Sequence, residues 1–282
     1  MKYILKPLSR FFFQNSLPFI LTFFYSTVLA QGNLLITPKR IIFDGLKRAE
    51  EINLANIGKD SATYMISFLQ YKMNDDGKFE PVTAQDSTQK YADKNLRFFP
   101  RTVTLAPNEA QSVKVQLIKK NELLPGEYRS HLFFRAIVKP KPLGEEEVQK
   151  TDSVISIQLT PIFGISIPVI IRVGESSVKV NFSNESFAME NGSNPTLKIT
   201  FNRMGNISSY GDLTVDYISP DNKIISVGLV KGIAVYIPNT KRNFSLLLSK
   251  IPGVDFKSGK LHIAYSDQAA VPGKICETEV TL

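Results

Sequence analysis

The segment that most constrains this chain runs from Val154 to Val173 and reads VISIQLTPIFGISIPVIIRV. It is apolar and long enough to suggest a membrane span. However, Ile155, Ile157 and Leu159 alternate with polar residues, which is the period of a β-strand. The two prolines in the run cannot donate a ladder hydrogen bond, so they favour a sheet edge or a bulge. Because an apolar edge strand recruits other chains, we interpret the segment as a strand that completes the sheet of a partner.

The first 30 residues are predicted to be an export signal. Lys2, Lys6 and Arg10 form a basic start, an apolar segment runs from Leu17 to Leu29, and Val28-Leu29-Ala30 fits the small-x-small cleavage rule. An uncleaved anchor helix is the alternative, but polar residues and a proline shorten the apolar core. We therefore expect cleavage after residue 30 and an exported mature chain.

The composition restricts the possible chemistry. A single cysteine, Cys276, cannot form an internal disulfide, so packed cores must supply the stability. The formal charge of +8 becomes +5 when the three basic residues of the signal are removed, and no dense Lys/Arg block with interleaved aromatic residues follows. Nucleic acid is therefore not an expected partner.

No motif of catalysis or cofactor binding stands out. The two histidines, His131 and His262, lie singly in predicted strands, and with one cysteine they do not make a zinc site. The chain has no nucleophile-elbow motif and no phosphate-binding glycine loop. We expect a protein that is not an enzyme, with no catalytic residue, no metal, no cofactor and no small-molecule substrate.

Short alternating segments separated by turn residues fill the rest of the chain. About seven such segments precede Gly174, and a second set follows, which is the pattern of immunoglobulin-like β-sandwiches. Because tryptophan and cysteine pairs are absent, the antibody-type core is excluded. The prediction is an all-β chain with two β-sandwich domains, at residues 31–174 and 175–282.

Several motifs of the first predicted domain occur together in a known order. They are Arg40-Ile-Ile-Phe-Asp-Gly45, Asn53-Leu-Ala-Asn-Ile-Gly58, Phe99-Pro-Arg-Thr-Val-Thr-Leu-Ala-Pro107 with Gln111-Ser-Val-Lys-Val115, Gly126-Glu-Tyr-Arg-Ser-His-Leu-Phe-Phe-Arg-Ala136, and Gly164-Ile-Ser-Ile-Pro-Val-Ile-Ile-Arg172. In this combination the chain resembles the periplasmic chaperones of chaperone–usher pilus assembly (PapD-like). Asn202-Arg-Met-Gly-Asn206 with Tyr210-Gly-Asp212 is similar to the second domain of divergent, archaic-type members.

The resemblance implies a periplasmic, non-catalytic protein with two immunoglobulin-like sandwiches at an angle. Such a chaperone holds a pilus or fimbrial subunit that lacks its last strand, and it hands the subunit on at an outer-membrane usher. Ile155, Ile157, Leu159 and Phe163 would be the donated side chains, each worth ~1.5–3 kcal/mol on burial. The alternative is that they belong to the core of their own domain.

The resemblance also implies an anchor for the client. Arg40 matches an arginine that holds the terminal carboxylate of the subunit, and a guanidinium suits this role because it binds a carboxylate through two parallel hydrogen bonds. The other interpretation of Arg40 is a solvated strand arginine. The second anchor of the family is a lysine at the position of Pro168. Arg101, Arg129 and Arg135 are candidates to replace it, and the choice among them stays open.

Glu127 and Arg172 match a carboxylate and an arginine that tie the two domains together in the family. A partly exposed ion pair contributes little energy, so its expected role is to set the geometry between the domains. The alternative is a pair of unrelated surface charges. For the chain as a whole, the rival interpretation is an exported two-domain immunoglobulin-like binding or adhesion protein without donor-strand activity.

Overall fold

In several strands, alternating burial separates the core side chains from those that face outward. The computed structural model describes residues 33–82, 88–137, 162–267 and 273–282. In the strand Ala110–Leu117, for example, Val113, Val115 and Leu117 are buried and the side chains between them are exposed. This is the two-residue period expected where one face of a sheet covers a core.

The first part of the chain forms two facing sheets and a separate hairpin. The strands are β1 (Leu34–Thr37), β2 (Ile41–Phe43), β3 (Ala49–Asn56), β4 (Ala62–Leu69), β5 (Tyr71–Met73), β6 (Phe79–Pro81), β7 (Leu96–Phe99), β8 (Thr102–Leu105), β9 (Ala110–Leu117), β10 (Gly126–Ile137) and β11 (Gly164–Val173). One sheet has the order β1-β3-β9-β7, the other has the order β2-β11-β10-β4-β8, and β5 pairs with β6. Short 3-10 turns occur at Asp93–Asn95 and Lys120–Glu122.

The second part of the chain forms another sandwich. Its strands are β12 (Val178–Glu190), β13 (Asn194–Gly205), β14 (Ser209–Ile218), β15 (Ile224–Val235), β16 (Lys241–Leu247), β17 (Lys260–Asp267) and β18 (Gly273–Thr281). The two sheets have the orders β12-β13-β16 and β15-β14-β17-β18. The prediction of an all-β chain with two β-sandwiches is confirmed.

Each sandwich has its own hydrophobic core. Buried residues from Leu34 to Ile171 form the first core, and buried residues from Val180 to Tyr265 form the second. At the centre of the second core, Phe201 makes edge-to-face contacts with Phe182 and Tyr265, with ring centroids 5.2 Å apart in both pairs. Such aromatic pairs add to the stabilisation that burial alone provides.

The strand that the sequence singled out is exposed at the sheet edge over only part of its described length. β11 begins at Gly164, and residues 154–161 of the predicted strand lie outside the described residues. Antiparallel pairing with β10 extends along the whole of β11, whereas β2 pairs with β11 in parallel only at Val169–Ile171. On the side of β11 that faces away from β10, no described strand pairs with residues Gly164–Pro168. The predicted sheet edge is therefore limited to this amino-terminal half of β11.

In the ranges that the structure describes, no helix has the length and apolar character needed to cross a membrane.

A buried asparagine at the end of β3 gives the first prediction. Asn56 Nδ2 donates to the carbonyl oxygens of Asp60, Leu105 and Ala106 at 2.8, 3.1 and 3.2 Å. Asn56→Asp would replace this donor with a buried carboxylate facing three carbonyl oxygens, so we expect the free energy of unfolding to fall by about 3 kcal/mol or more. Urea denaturation measures the change.

Asn53→Asp on the same strand is the matched control. Asn53 Oδ1 accepts a hydrogen bond from Ser112 Oγ at 2.7 Å on the exposed face, and aspartate can accept the same bond. Its effect should stay within about 0.5 kcal/mol. Similar losses in the two variants would contradict the assignment of Asn56.

Candidate functional site

One buried face of the β10–β11 pair carries polar and charged side chains. They are Glu127, Arg129, His131 and Arg172. Side chains on a strand alternate between the two faces of a sheet. Glu127, Arg129 and His131 therefore lie on the face opposite to that of Leu132 and Phe134, which are part of the first core. All three are buried, so they face another part of the protein and not the solvent.

The strand register arranges this face in rows. Glu127 is opposite Arg172, Arg129 is opposite Ile170, His131 is opposite Pro168, and Ile170 is in turn opposite Ile42 of β2. Arg40 precedes Ile42 by two residues, so it lies on the same face. The predicted anchor Arg40 and the predicted pair Glu127 and Arg172 are thus brought to one surface.

Glu127 is the most connected of these residues. Its Oε2 lies 3.0 Å from Arg172 Nε and accepts the backbone N–H of Ser208 at 3.1 Å, and its Oε1 accepts the Ser208 hydroxyl. Arg172 Nη2 also donates to the Ser208 carbonyl oxygen at 3.4 Å. Because Ser208 precedes β14 of the second sandwich, these bonds join the two sandwiches. The pair is 0% and 7% exposed, so it is a buried pair, in contrast to the partly exposed one assumed from the sequence.

Arg129 is buried in the same surface but its hydrogen bonds are incomplete. Its guanidinium carbon lies 4.0 Å from the ring centroid of Tyr236, and the whole residue is 1% exposed. Nη2 makes two long hydrogen bonds, to Tyr71 O at 3.4 Å and to Gln89 Oε1 at 3.5 Å. Nε and Nη1 have no hydrogen-bond partner among the described residues. Burial lowers the pKa of Arg129, and the nearby charge of Arg40 lowers it further.

Arg40 is still less satisfied. Its guanidinium carbon lies 3.9 Å from the ring centroid of Tyr210, in a cation–π contact. Its Nε, Nη1 and Nη2 are all buried, and none of them has a hydrogen-bond partner within the described ranges. A solvated strand arginine does not fit this environment, because all three nitrogens are shielded from water.

An aromatic pocket adjoins the two arginines at the uncovered edge of β11. The β5–β6 hairpin, β10, β11 and the second sandwich all contribute to its lining. The lining residues are Tyr71, Phe79, His131, Ser166, Pro168 and Tyr236. The pocket volume is about 380 Å³. The His131 ring contacts Tyr71 and Phe79 edge to face, with centroids 5.0 and 5.5 Å apart. Tyr236 connects pocket and cations, since it also lies beneath Arg129.

The β5–β6 hairpin is held against the second sandwich. The backbone oxygen of Asp75 accepts from Asn243 N at 2.6 Å, and its carboxylate accepts from Asn239 Nδ2 at 3.2 Å. Phe79 on the same hairpin packs on Tyr236, with ring centroids 5.8 Å apart. These contacts position the hairpin side of the pocket.

The other residues named from the sequence lie elsewhere. Of the three arginines that the sequence offered as candidates, Arg101 and Arg135 are exposed, whereas Arg129 is buried and the charge of Arg40 contributes to lowering its pKa. Phe163 is 44% exposed next to the start of β11. The remaining donor residues Ile155, Ile157 and Leu159 are outside the described residues. Tyr210, Tyr236 and Ser208 were not predicted, because a lone tyrosine or serine in a second sandwich carries no local signal of a contact with the first.

No protein-family model matches this chain, and no curated protein matches it. Solved structures do. The class 5 fimbriae chaperone CfaA is 14% identical, covering 88% of this chain and 98% of that one, with a TM-score of 0.43. The CupB2 chaperone of Pseudomonas aeruginosa is 10% identical, covering 88% and 100%, with a TM-score of 0.44. A structure of the Salmonella enterica SafA pilin with the SafB chaperone matches at 11% identity, 89% and 97% coverage, and a TM-score of 0.41.

This chain is therefore similar to solved pilus and fimbrial chaperones over most of its length. With identities and TM-scores this low, the likeness has no bearing on what the chain binds. Its function has to be inferred from its own residues.

The buried ion pair gives the second prediction. Glu127→Gln would leave Arg172 as a buried charge without a counter-ion, so we expect the free energy of unfolding to fall by about 3–5 kcal/mol. Glu279→Gln is the control, because Glu279 pairs with Lys260 at 2.9 Å but both side chains are over 40% exposed. Its effect should lie within about 1 kcal/mol. Equal losses in guanidinium denaturation would mean that Glu127 is not a structural centre.

His131 gives a prediction about pH. Burial disfavours the imidazolium and Arg129 repels it, which lowers the pKa of His131 to about 3. Between about pH 6.5, the ordinary value for an unfolded chain, and pH 3, the unfolded state binds the extra proton, so stability due to this group falls as the pH is lowered. The unfolding free energy of His131→Phe should therefore decrease less between pH 7 and pH 4 than that of the wild type.

Nuclear magnetic resonance checks the same group directly. The ring proton shifts of His131 should keep their neutral values when the folded protein is titrated from pH 7 to about pH 4.5. A midpoint near the unfolded value would show that the imidazole is solvated, in contradiction to its buried place.

Proposed function

We propose that this chain is a periplasmic chaperone that binds pilus or fimbrial subunits by adding its own β-strand to their incomplete sheets. The observation that carries the proposal is the edge of β11 from Gly164 to Pro168, which no described strand covers and which ends near the Arg40 guanidinium, whose buried nitrogens have no hydrogen-bond partner among the described residues. In this proposal the chain is exported by a signal peptide at residues 1–30, has no catalytic role and needs no cofactor, and its second partner is an outer-membrane usher.

At this edge, backbone groups of β11 point away from β10 and are not paired by any described strand. Ala136 N donates to Phe163 O at 2.9 Å, so the groups of Phe163 and of every second residue after it point to β10. The groups of Gly164 and Ser166 alternate with these and point to the opposite side, where β2 has not yet begun. Pro168 belongs to the same set, so its missing N–H does not weaken the pairing with β10.

The end of this edge determines the direction of an added strand. From Val169 onward β2 occupies the edge, so a strand paired with Gly164–Pro168 has to end near Arg40. If the added strand runs parallel to β11, its carboxyl end meets the guanidinium. If it runs antiparallel, its positively charged amino end does so. Electrostatics favours the parallel strand with a carboxyl terminus at Arg40.

Apolar side chains precede this edge and supply the hydrophobic part of the interaction. Ile162 and Phe163 are 51% and 44% exposed immediately before β11. We propose that the donated strand continues toward the amino terminus from these residues and presents Ile155, Ile157 and Leu159 to the client. In strand addition the main-chain bonds contribute affinity and alternate side chains in pockets contribute specificity.

The fourth prediction concerns client capture. Ile157→Asp would place a charge where an apolar side chain has to enter the client, so we expect co-purification of pilus subunits from the periplasm to be abolished. Gln158→Asp is the matched control, because in the proposed strand side-chain alternation would put position 158 on the opposite face from position 157, and capture should persist. Affinity purification of the mature protein followed by mass spectrometry measures both.

Capture that survives Ile157→Asp would show that this segment is not the donor. A second result would favour the rival function of an exported adhesion or binding protein. In that case the wild type captures no pilus subunit, and protease treatment of intact cells removes the protein from the cell surface.

A further inference from the structure

We propose that the aromatic pocket at the uncovered edge of β11 binds a neutral phenolic ring, either the side chain of a tyrosine or a small phenol. Four of the six lining residues carry aromatic rings, so the pocket has a chemistry of its own, separate from backbone pairing along β11. Its volume of about 380 Å³ lies at the small end of the range for ligand pockets, ~300–1,000 Å³, and leaves room for one small ring system. This site goes beyond the proposed function, because an isolated phenol can occupy it whether or not a strand is added to β11.

The rings around the pocket meet edge to face. Tyr71 and Phe79 are inclined at 69° to each other, and they meet the ring of His131 at 88° and 72°, respectively. Tyr236 is tilted by 51° against Phe79. Aromatic rings prefer such arrangements, because the positive edge of one ring meets the negative face of the next. A planar aromatic guest continues this packing, whereas an aliphatic guest of similar size has no such edge or face.

Phe79 is the wall of the pocket that still has uncovered apolar area. Its ring contacts Tyr71, His131 and Tyr236, yet the residue is 46% exposed and all of β6 is exposed with it. Ser166 on the β11 side is exposed as well, so the pocket reaches the surface. A ring bound here removes apolar surface of Phe79 from water, and this transfer favours binding.

The charges around the pocket favour a neutral guest. Its lining contains no lysine and no arginine among the described residues, so a carboxylate would find no cation at the pocket wall. A cationic guest is disfavoured too, because the Arg129 guanidinium already lies 4.0 Å from the centroid of the Tyr236 ring and would repel it. The imidazole of His131 adds no charge at pH 7, since burial and Arg129 lower its pKa to about 3.

Two polar lining residues suit a hydroxyl group on the guest. Besides the tyrosines, the polar side chains of the lining are those of His131 and Ser166. Nδ1 of His131 has no hydrogen-bond partner among the described residues, so no such bond determines which ring nitrogen carries the proton. The imidazole can therefore present either a donor or an acceptor at Nε2, and the serine hydroxyl can do both. A phenolic hydroxyl, which also donates and accepts, matches this pair better than a hydrocarbon ring does.

Small phenols test the site in the intact mature protein. Nuclear magnetic resonance should show saturable binding of p-cresol, the side-chain analogue of tyrosine, with shifts of the His131 ring protons and a Kd on the order of 1 mM or tighter. 4-Methylcyclohexanol keeps the hydroxyl group but has no aromatic ring, and we expect it to bind at least about fivefold more weakly. 4-Methylanisole keeps the ring but cannot donate a hydrogen bond, and it should bind at least about twofold more weakly than p-cresol.

Substitutions in the pocket separate binding from folding. Phe79→Leu keeps an apolar side chain on an exposed strand but removes a ring, so p-cresol should lose most of its advantage over 4-methylcyclohexanol. Phe99→Leu is the matched control, because Phe99 is 77% exposed and does not line the pocket, and both affinities should stay unchanged. Ser166→Leu places a larger side chain at the exposed lining position of β11, so binding of p-cresol should be lost while the melting temperature of the free protein is unchanged.

A set of amidated peptides identifies the source of the ring. The parent peptide has alternating threonine and valine residues, and in the other peptides a tyrosine replaces one central valine or one central threonine, so that both faces of an added strand are sampled. Displacement of p-cresol by a tyrosine peptide but not by the parent would assign the pocket to a side chain of an added strand, and this assignment rests on the proposed function. Binding of all peptides together with p-cresol would assign the pocket to a free phenolic compound.

The results that overturn the site differ from those that overturn strand addition. Absence of saturable p-cresol binding, equal affinities for p-cresol and 4-methylcyclohexanol, or equal affinities for p-cresol and 4-methylanisole would exclude a phenol site and leave strand addition intact. Binding of p-cresol that survives Ser166→Leu would place the phenol elsewhere on the protein and exclude the pocket. Absence of binding of every peptide to a protein that binds p-cresol would contradict strand addition and leave the phenol site intact.

Discussion

The buried carboxylate of Glu127 is the interaction on which the arrangement of this protein depends. It binds Arg172 on the neighbouring strand and both the backbone and the hydroxyl of Ser208 in the second sandwich. Removing one partner of a buried ion pair is strongly destabilising, because it leaves the other charge uncompensated. The pair therefore holds β10, β11 and the second sandwich in one geometry, and that geometry determines where Arg40 and Arg129 can be.

Strand alternation lets one sheet serve two purposes. One face of β10 and β11 covers the core of the first sandwich with residues such as Leu132 and Val169. The other face carries Arg129 and Ile170, which pack against tyrosines of the second sandwich. A proline at position 168 fits this division, because it removes a donor only from the edge that β2 leaves uncovered.

Burial of two arginine side chains at this surface is costly to the free protein. The three side-chain nitrogens of Arg40 and two of those of Arg129 are buried without hydrogen-bond partners among the described residues, although each guanidinium lies over a tyrosine ring. The lowered pKa of Arg129 has the same cause, since burial and a neighbouring positive charge both disfavour the charged form. A ligand that supplies a negative charge would stabilise the interface between the sandwiches, so binding and stability are linked at this surface.

Sequence by itself determined the strands, the all-β class and the two sandwiches, because burial of alternate residues is a local property with a fixed period. It also led to Arg40, Glu127 and Arg172 as candidates through a family resemblance. Only the tertiary structure decided that Arg129 is buried, that Arg40 lies over the ring of Tyr210 and that Arg129 lies over the ring of Tyr236. These neighbours are set by the register of strands far apart in the chain and by contacts between sandwiches, and local alternation encodes neither.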